Sequence, residues 1–340
     1  MAPLFMDSFD HYVTADAGKK YPLGTSGRIH ATYGRRSSGC MRGEGNVLSS
    51  TVGAGPATTD TMIVGYARKS AESHDEMLRI SNADGFQVSI ISQTDGTIIA
   101  YRYRWYSQED AALEIGRTAA ATITANTWQY VEFKIKIHGS AGTVHLQVNG
   151  VSVLAVTGAN TMPSGVATAT SVQVRSSPGG YIDDLYVLDT SGSVNNDFLG
   201  DVRVDAHYPV TPDGTNHAWA PSTGSDNFAV VDEAAPNISD YNSTITLNDV
   251  DTFNLEAFKN TGARIIGAQL SLFHSKEDAG SCLVAPVVRT HATEYVGSDF
   301  APSESSYTYK TTPYEVNPYT GLAWSEEDLN AVEVGYKKTG

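Results

Sequence analysis

A regular alternation of apolar and polar residues near the middle of the chain limits its fold more than any other feature. Apolar residues stand at positions 131, 133, 135 and 137 with Glu or Lys between them, and the alternation returns at 144, 146 and 148. Since successive side chains of a β-strand point to opposite faces, both stretches predict strands with one buried face. The Asn149-Gly150 pair that follows favours a two-residue type I′ turn, which needs a positive φ at both positions. We therefore expect a β-hairpin whose returning strand starts at Val151.

The remainder of the first half also predicts short strands. Candidates lie at 61–67, 86–92, 97–105 and 171–175, separated by turn sequences such as "NADG" and "QTDG". Charged residues make up only 18% of the chain, and Gly, Ser, Thr and Tyr take their place, which is typical of strands and turns. Residues 1–190 are therefore predicted to form an antiparallel β-sandwich.

The charge of the chain changes near residue 190. Residues 1–190 hold 15 basic and 17 acidic side chains, whereas residues 191–340 hold 8 and 21, so the net charges are −2 and −13. A polar, turn-rich segment at 190–196 coincides with this change. We predict a first domain at 1–190, a linker at 191–200 and an acidic second β-sandwich at 201–340.

The second half contains weaker but specific signals. Strands are predicted near Val202–Tyr208 and at Ile265–Phe273, and Cys282–Arg289 is expected to return from the latter after the turn sequence "SKEDAG". Ser325 followed by three acidic residues has the composition of a helix N-terminus, since a hydroxyl caps free N–H groups and carboxylates favour the first turn. A final strand is predicted at Val332–Tyr336.

Charge and targeting signals exclude some classes of function. An acidic chain repels nucleic acid and anionic lipid at long range, so neither is an expected partner. The first residues lack the basic region of a secretory signal, and no stretch is long and apolar enough to insert into a membrane.

Two stretches carry a resemblance to a known fold family. "NTWQYVEFKIKI" with "GTVHLQVNGVSV", followed by "YIDDLYVLD" at 181–189, resembles the concanavalin-A-like (laminin-G-like) lectin and glucanase jelly roll over about residues 4–190. The resemblance implies that the opening stretch "LFMDSFDHY" forms a first strand that pairs beside the last one.

A second resemblance concerns the function. The string from "YIDDLYVLDTSGSVNNDFLGDVRVDAHYPV" to "STGSDNFAVVDE", together with "NPYTGLAWSEEDLNAVEVGYK" near the end, resembles virion structural proteins of tailed bacteriophages. In those proteins a lectin-like domain is joined to a second β-domain. The resemblance implies a location in the virion, after synthesis in the host cytoplasm, and assembly with other virion proteins.

The adjacent carboxylates Asp183 and Asp184 are the first candidate site. Glycosidases need two carboxylates facing one sugar, but adjacent strand residues face opposite sides unless a bulge intervenes. A calcium site is the weaker alternative, because calcium takes six to eight oxygen ligands and two neighbours supply few of them. The favoured interpretation is purely structural: one carboxylate accepts a hydrogen bond from the backbone and the other is exposed to solvent.

The run Tyr101-Arg102-Tyr103-Arg104-Trp105 is the best candidate for glycan binding. In a strand, the three aromatic side chains share one face and can stack on sugar rings, while arginine donates hydrogen bonds to hydroxyl groups. The alternatives are an aromatic core face or a subunit interface.

No other motif points to catalysis. The histidines lack metal-ligand spacing, and there is no phosphate-binding glycine loop or nucleophile motif. Cys40 and Cys282 are expected to be free thiols, with a disulfide as the alternative.

These observations together predict a non-enzymatic protein. The first hypothesis is a structural component of a bacteriophage particle, as a tail, collar or fibre-like appendage, that acts through assembly and forms a homo-oligomer, with a trimer favoured. The alternatives are a carbohydrate-binding module for host recognition and a capsid decoration protein. No cofactor is expected beyond the weak calcium candidate.

Overall fold

The computed structural model describes residues 3–21, 27–43, 50–54, 59–70, 74–102, 113–192, 194–304 and 306–340. The chain divides into two compact units, Met1–Val204 and Asp205–Gly340. The segment predicted as a linker, 191–200, thus falls inside the first unit. Among the described residues, no helix is long and apolar enough to cross a lipid bilayer.

The first unit consists of strands and one short helix. The helix is α1, Thr14–Lys20. The strands are β1 Pro3–Asp7, β2 Arg28–His30, β3 Cys40–Arg42, β4 Ser50–Ala54, β5 Thr61–Lys69, β6 Asp75–Asn82, β7 Gly85–Ser92, β8 Ile98–Arg102, β9 Leu113–Arg117, β10 Gln129–Lys136, β11 Gly142–Val148, β12 Val151–Ala159, β13 Ser171–Ser176 and β14 Tyr181–Asp189.

These strands form two antiparallel sheets. The eight-stranded sheet has the order β12-β11-β10-β5-β14-β3-β2, with β1 also paired to β14, and the six-stranded sheet has the order β4-β13-β6-β7-β8-β9. The first strand therefore pairs beside the last strand of the unit, with Asp7 opposite Leu185, as the resemblance to the lectin-like fold implied. The expected hairpin also forms, because Asn149 and Gly150 have φ values of 50° and 76° between β11 and β12.

The two sheets pack face to face over an apolar core. Tyr66 of the eight-stranded sheet donates a hydrogen bond of 2.9 Å to the carbonyl oxygen of Met77 in the six-stranded sheet, and its ring lies 6.0 Å from that of Phe133. Val131, Phe133 and Ile135 are buried, as their alternation predicted. Full burial of each such side chain contributes about 1.5–3 kcal/mol, so the sandwich is the main source of stability in this unit.

The opposite face of the eight-stranded sheet is covered by the segment that was expected to be a linker. Phe198, Leu199 and Val202 pack on a cluster that contains Tyr130 and Tyr186. The carboxylate of Glu132 fixes this segment, since its Oε1 accepts hydrogen bonds from the backbone N–H groups of Leu199 and Gly200, both at 2.9 Å.

The second unit is also built from antiparallel strands. They are β15 Pro209–His217, β16 Ala220–Pro221, β17 Asn242–Ser243, β18 Val250–Leu255, β19 Ala268–His274, β20 Val284–Thr290, β21 Thr293–Val296, β22 Thr308–Tyr314 and β23 Glu333–Lys338. A five-stranded sheet has the order β15-β18-β23-β20-β21, and β16-β17 and β19-β22 form two-stranded sheets. The core contains Val288, Trp324 and Val332, with Ala268 and Tyr314 of the β19-β22 sheet packed against them. The prediction of an all-β chain with two sandwich-like units is confirmed.

Two local predictions in the second unit were wrong, whereas the predicted helix start and the predicted final strand, which is β23, are confirmed. Residues 202–208 form no strand, because regular pairing begins only at Pro209. β19 pairs with β22 rather than with β20, since β20 is a buried strand of the larger sheet between β23 and β21. The short helix α2, Glu326–Ala331, begins as predicted, with Ser325 and Asp328 capping each other reciprocally.

Candidate functional site

The outward side of the six-stranded sheet carries a row of polar side chains across five strands. Gln173 of β13 pairs with Arg79 of β6, Arg79 pairs with Ser89 of β7, Ser89 pairs with Tyr101 of β8, and Tyr101 pairs with Glu114 of β9. Directly opposed residues of neighbouring strands share a face, so the five side chains lie on one side. We call this side of the sheet the polar face.

The opposite side of the same strands is apolar. Leu78, Ile80, Val88 and Ile90 alternate with the polar residues and are fully buried between the sheets. A slip of one residue in any of these pairings would bury the polar row, so the hydrophobic core fixes the polar face.

A charge network centred on Glu76 lies within the polar face. Arg79 makes a fork-like pair with Glu76, with Nε–Oε1 and Nη2–Oε2 distances of 2.8 and 2.6 Å. Arg175 of β13 pairs with Oε2 of the same carboxylate, and Ser89 donates a hydrogen bond of 2.6 Å to Oε1. Both oxygens of Glu76 are therefore engaged. Two-pronged arginine pairs hold carboxylates in a fixed geometry, so this part of the polar face is rigid.

A second ion pair lies on the edge strand β9. Arg117 makes a fork-like pair with Glu114, with an Nε–Oε1 distance of 2.7 Å. The hydrogen bond from Arg117 lowers the pKa of the Glu114 carboxyl below its ordinary value. Glu114 is thus a poor proton donor at neutral pH.

The predicted glycan run lies only partly within the described residues. Tyr101 is half-buried on the polar face, opposite Ser89. Arg102 pairs with Val88 and so belongs to the core-facing side at the edge of the sheet. The two residues occupy opposite faces, as a strand requires, whereas Tyr103, Arg104 and Trp105 lie outside the described residues.

A β-bulge lies at the two adjacent carboxylates in β14. Asp183 pairs with Ala67 and Tyr186 pairs with Gly65, so two residues of β14 stand opposite one residue of β5. Asp184 has a φ of 51°, in the left-handed region. The expectation that the two carboxylates face opposite sides assumed a regular strand. Because β14 has a bulge here, that assumption does not apply to Asp183 and Asp184.

Both carboxylates contact the loop between β2 and β3. Asp183 Oδ2 accepts the backbone N–H of Arg35 at 2.7 Å, and Asp184 Oδ2 lies 2.9 Å from Nη1 of Arg36. Asp184 Oδ1 also accepts the backbone N–H of Val204 at 2.9 Å. These atoms tie the loop, β14 and the end of the first unit together.

The electrostatics of the bulge follow from this crowding. The pKa of Asp183 is raised to about 7, first by burial and then by the neighbouring charge of Asp184. Arginine and backbone N–H groups engage oxygens of both carboxylates, so the pair does not fit an open calcium site. Within the described part of the chain, no group of three or more His, Cys, Asp or Glu side chains could hold a metal ion.

The two cysteines are free thiols. Cys40 is buried in β3, and burial raises the pKa of its thiol to about 12. Such a thiol is protonated at neutral pH and therefore a weak nucleophile. Cys282 is half-buried and lies 3.5 Å from the Lys338 ammonium group.

Sequence reasoning missed most of the polar face. Gln173 and Arg175 alternate with valines in β13, and Gln87 and Ser89 alternate with apolar residues in β7, so the polar positions carried a signal. The sequence alone does not show that β13 pairs with β6, because this pairing joins segments about ninety residues apart.

Comparison with known proteins gives distant structural similarities. No protein-family model matches the chain, and no curated protein matches it. It is similar to the solved structure of alginate lyase Aly36B, with 14% identity, a TM-score of 0.38, and coverage of 55% of this chain and 97% of that one. It is also similar to endo-1,3-beta-glucanase from Streptomyces sioyaensis, with 14% identity, a TM-score of 0.35, and coverage of 55% of this chain and 95% of that one. For galectin LEC-6 from Caenorhabditis elegans the identity is 13%, the TM-score is 0.30, and the coverage is 43% of this chain and 93% of that one. Because these identities and TM-scores are low, the fold assignment rests on the strands and strand pairings of the chain itself.

Proposed function

We propose that this chain is a non-enzymatic structural protein of a bacteriophage particle and that its first unit binds carbohydrate on the polar face. The observation that carries the binding role is the cross-strand row from Gln173 to Glu114 with the Glu76 network inside it. The particle role rests on the resemblance of residues 181–233 and 317–337 to virion structural proteins.

The chemistry of the polar face suits a ligand rich in hydroxyl groups. Guanidinium and amide groups of Arg79 and Gln173 supply donors and acceptors at the spacing of neighbouring strands. The half-exposed ring of Tyr101 provides an apolar surface on which a sugar ring can stack. Because the arginine-carboxylate pairs fix the central side chains, binding needs little reordering of that region.

The same ion pairs support the non-enzymatic part of the proposal. Glycoside hydrolysis requires one carboxyl group that donates a proton and a second that acts as base or nucleophile. Glu76 has both oxygens bound by Arg79, Arg175 and Ser89, and the pKa of Glu114 is lowered by Arg117. Neither carboxylate is arranged as a proton donor.

The binding role is tested with the substitution Tyr101→Ala in the full chain. A panel of immobilised glycans identifies a ligand, and titration calorimetry then compares the variant with the parent protein. We expect binding weaker by about tenfold, equivalent to about 1.4 kcal/mol, because the stacking surface is lost.

Tyr319→Ala is the matched control, since Tyr319 is an exposed tyrosine of the second unit. It should leave glycan affinity unchanged. If Tyr101→Ala keeps both its melting temperature and full glycan affinity, or if no glycan on the panel binds the parent protein, the polar face is not a carbohydrate site.

The particle role has a separate test. Quantitative mass spectrometry of purified particles of the phage that encodes this chain should find it in a fixed ratio to the portal subunit. A density map of the particle would then distinguish a tail, collar or fibre-like appendage from capsid decoration, and light scattering would measure the expected trimer. Absence of the chain from purified particles contradicts this role without affecting the glycan test.

A further inference from the structure

A fully buried lysine and aspartate lie side by side at the start of the first unit. Asp7 is the last residue of β1, and Lys20 is the last residue of α1. Lys20 Nζ is 3.1 Å from Asp7 Oδ2, and neither side chain is accessible to solvent. This pair lies outside the polar face and has no part in the proposed carbohydrate binding.

The surroundings of the pair are aromatic. Lys20 Nζ lies 5.3 Å from the centre of the Phe5 ring and 5.1 Å from that of Tyr12. A fully buried ion pair carries a large desolvation penalty for each ion, which the mutual attraction of the two charges offsets only in part. Burial also lowers the pKa of the Lys20 ammonium group, which makes its loss of a proton to give the neutral amine easier. Conversion of the pair into a neutral group would remove that penalty.

Hydrogen-bond donors surround the Asp7 carboxyl group. The backbone N–H of Phe9 donates to Oδ1 at 2.8 Å, and the hydroxyl of Tyr12 donates to Oδ2 at 2.7 Å. The hydroxyl of Tyr21 also donates to Oδ2. Donors placed in this way withdraw electrons from a carboxyl carbon and stabilise negative charge that develops on its oxygens during attack.

A proton acceptor lies on the other side of the amine. His11 Nε2 is 2.7 Å from Lys20 Nζ. Burial and then the positive charge of Lys20 lower the pKa of His11 to about 3, so its imidazole is neutral at neutral pH. A neutral imidazole at hydrogen-bond distance can relay a proton from the attacking nitrogen, and its low basicity limits the rate of that relay.

We propose that Lys20 and Asp7 form an intramolecular amide bond, an isopeptide crosslink, in the folded chain. Transfer of one proton from the ammonium group to the carboxylate gives a neutral amine and a carboxylic acid. The lone pair of Nζ attacks the Asp7 carboxyl carbon, and the Phe9 N–H stabilises the charge on Oδ1. His11 takes one proton from Nζ and returns it to Oδ2, which leaves with the acid proton as water. The products are one amide and one water molecule, and no oxidant or co-reactant is needed.

The primary test is the intact mass of the purified full-length protein under denaturing conditions. We expect a mass lower than that of the sequence by one water molecule. Trypsin should no longer cleave after Lys20, and fragmentation should identify a branched species that joins the peptide ending at Lys19 to the peptide starting at Lys20. Fragmentation also separates the crosslink from a cyclic imide at Asp7, which would leave cleavage after Lys20 intact.

Two arginine variants make the test specific. Lys20→Arg keeps the positive charge beside Asp7 but has no primary amine, so it should show the full sequence mass. Lys19→Arg is the matched control, since Lys19 lies next to Lys20 in α1 and pairs with Asp16 rather than Asp7, and it should retain the loss of water. A folded parent protein with the full sequence mass, or loss of water that persists in Lys20→Arg, overturns the proposal.

His11→Gln probes the proton transfer separately from folding. We expect this variant to fold and to form the crosslink more slowly, measured as the fraction of dehydrated protein against time after refolding from denaturant. A rate equal to that of the parent protein would contradict the role given to His11.

Discussion

Asp184 has a backbone φ of 51°, a conformation that side chains other than glycine and asparagine adopt at a cost. The cost is offset by what the bulge brings together. Asp184 binds the side chain of Arg36 and the backbone of Val204, while Asp183 accepts the N–H of Arg35. One residue in an unusual conformation thus turns two adjacent carboxylates into a junction between a loop, a strand and the end of the unit.

The raised pKa of Asp183 predicts a pH-dependent stability. The group has a pKa of about 7 in the folded state and about 3.9 when unfolded, so between these values the folded state binds more protons. The free energy of unfolding should therefore fall as pH rises from about 4 to about 7, with the carboxylates of Asp184 and Asp10 contributing to the repulsion. Asp183→Asn removes this dependence on pH. The free energy of unfolding of the variant minus that of the parent protein should therefore be larger at about pH 8 than at about pH 5.

Urea unfolding at the two pH values measures this difference. Asp95→Asn is the control, because the N–H of Thr97 lowers the pKa of Asp95 and moves its titration below the window. A variant-minus-parent difference that is the same at both pH values would show that Asp183 is not the group responsible.

At the scale of single elements, local patterns predicted strands well and pairings poorly. The alternation at 131–148 corresponds to β10 and β11, and the Asn149-Gly150 turn joins β11 to β12, since period and turn type are set by neighbouring residues. The β14 bulge and the pairing of β19 with β22 depend on partners distant in the chain. The polar face has the same origin: each strand showed its polar positions, but only the order of strands places them in one row.

The close approach of β5 to β14 gives a prediction for one such element. A Cβ atom on Gly65 would lie 2.3 Å from the ring of Tyr186, whose hydroxyl is bound to Glu132 at 2.5 Å. The ring is buried and held by this hydrogen bond, so it has little room to move. We expect Gly65→Ala to lower the free energy of unfolding by about 1–3 kcal/mol, as overpacked cores do.

Gly18→Ala is the matched control for that substitution. Gly18 lies inside α1 with no atom near its missing Cβ, so alanine should leave stability unchanged or raise it by about 0.5–1 kcal/mol. Denaturant titration of both variants, followed by circular dichroism, gives the comparison. Equal stability of Gly65→Ala and the parent protein would mean that the strands can separate locally without cost.

At the scale of the whole molecule, each unit has a hydrophobic core of its own. The first core lies between its two sheets and includes Phe133, and the core of the second unit includes Trp324, whose indole N–H also donates to the carbonyl of Tyr314 at 3.2 Å. The units also differ in charge, because most of the excess of acidic residues lies in the second half of the sequence. Units with separate cores can unfold as separate cooperative transitions.

Two core substitutions test this independence. Replacement of a buried aromatic residue by alanine costs about 3–5 kcal/mol, so Trp324→Ala and Phe133→Ala should each destabilise the unit that contains them. In scanning calorimetry of the full chain we expect two transitions, with Trp324→Ala lowering the melting temperature of one and Phe133→Ala that of the other. If either variant shifts both transitions together, or if the parent protein melts in a single transition, the two units fold as one cooperative body. Separate transitions would show that each unit keeps its fold independently of the other.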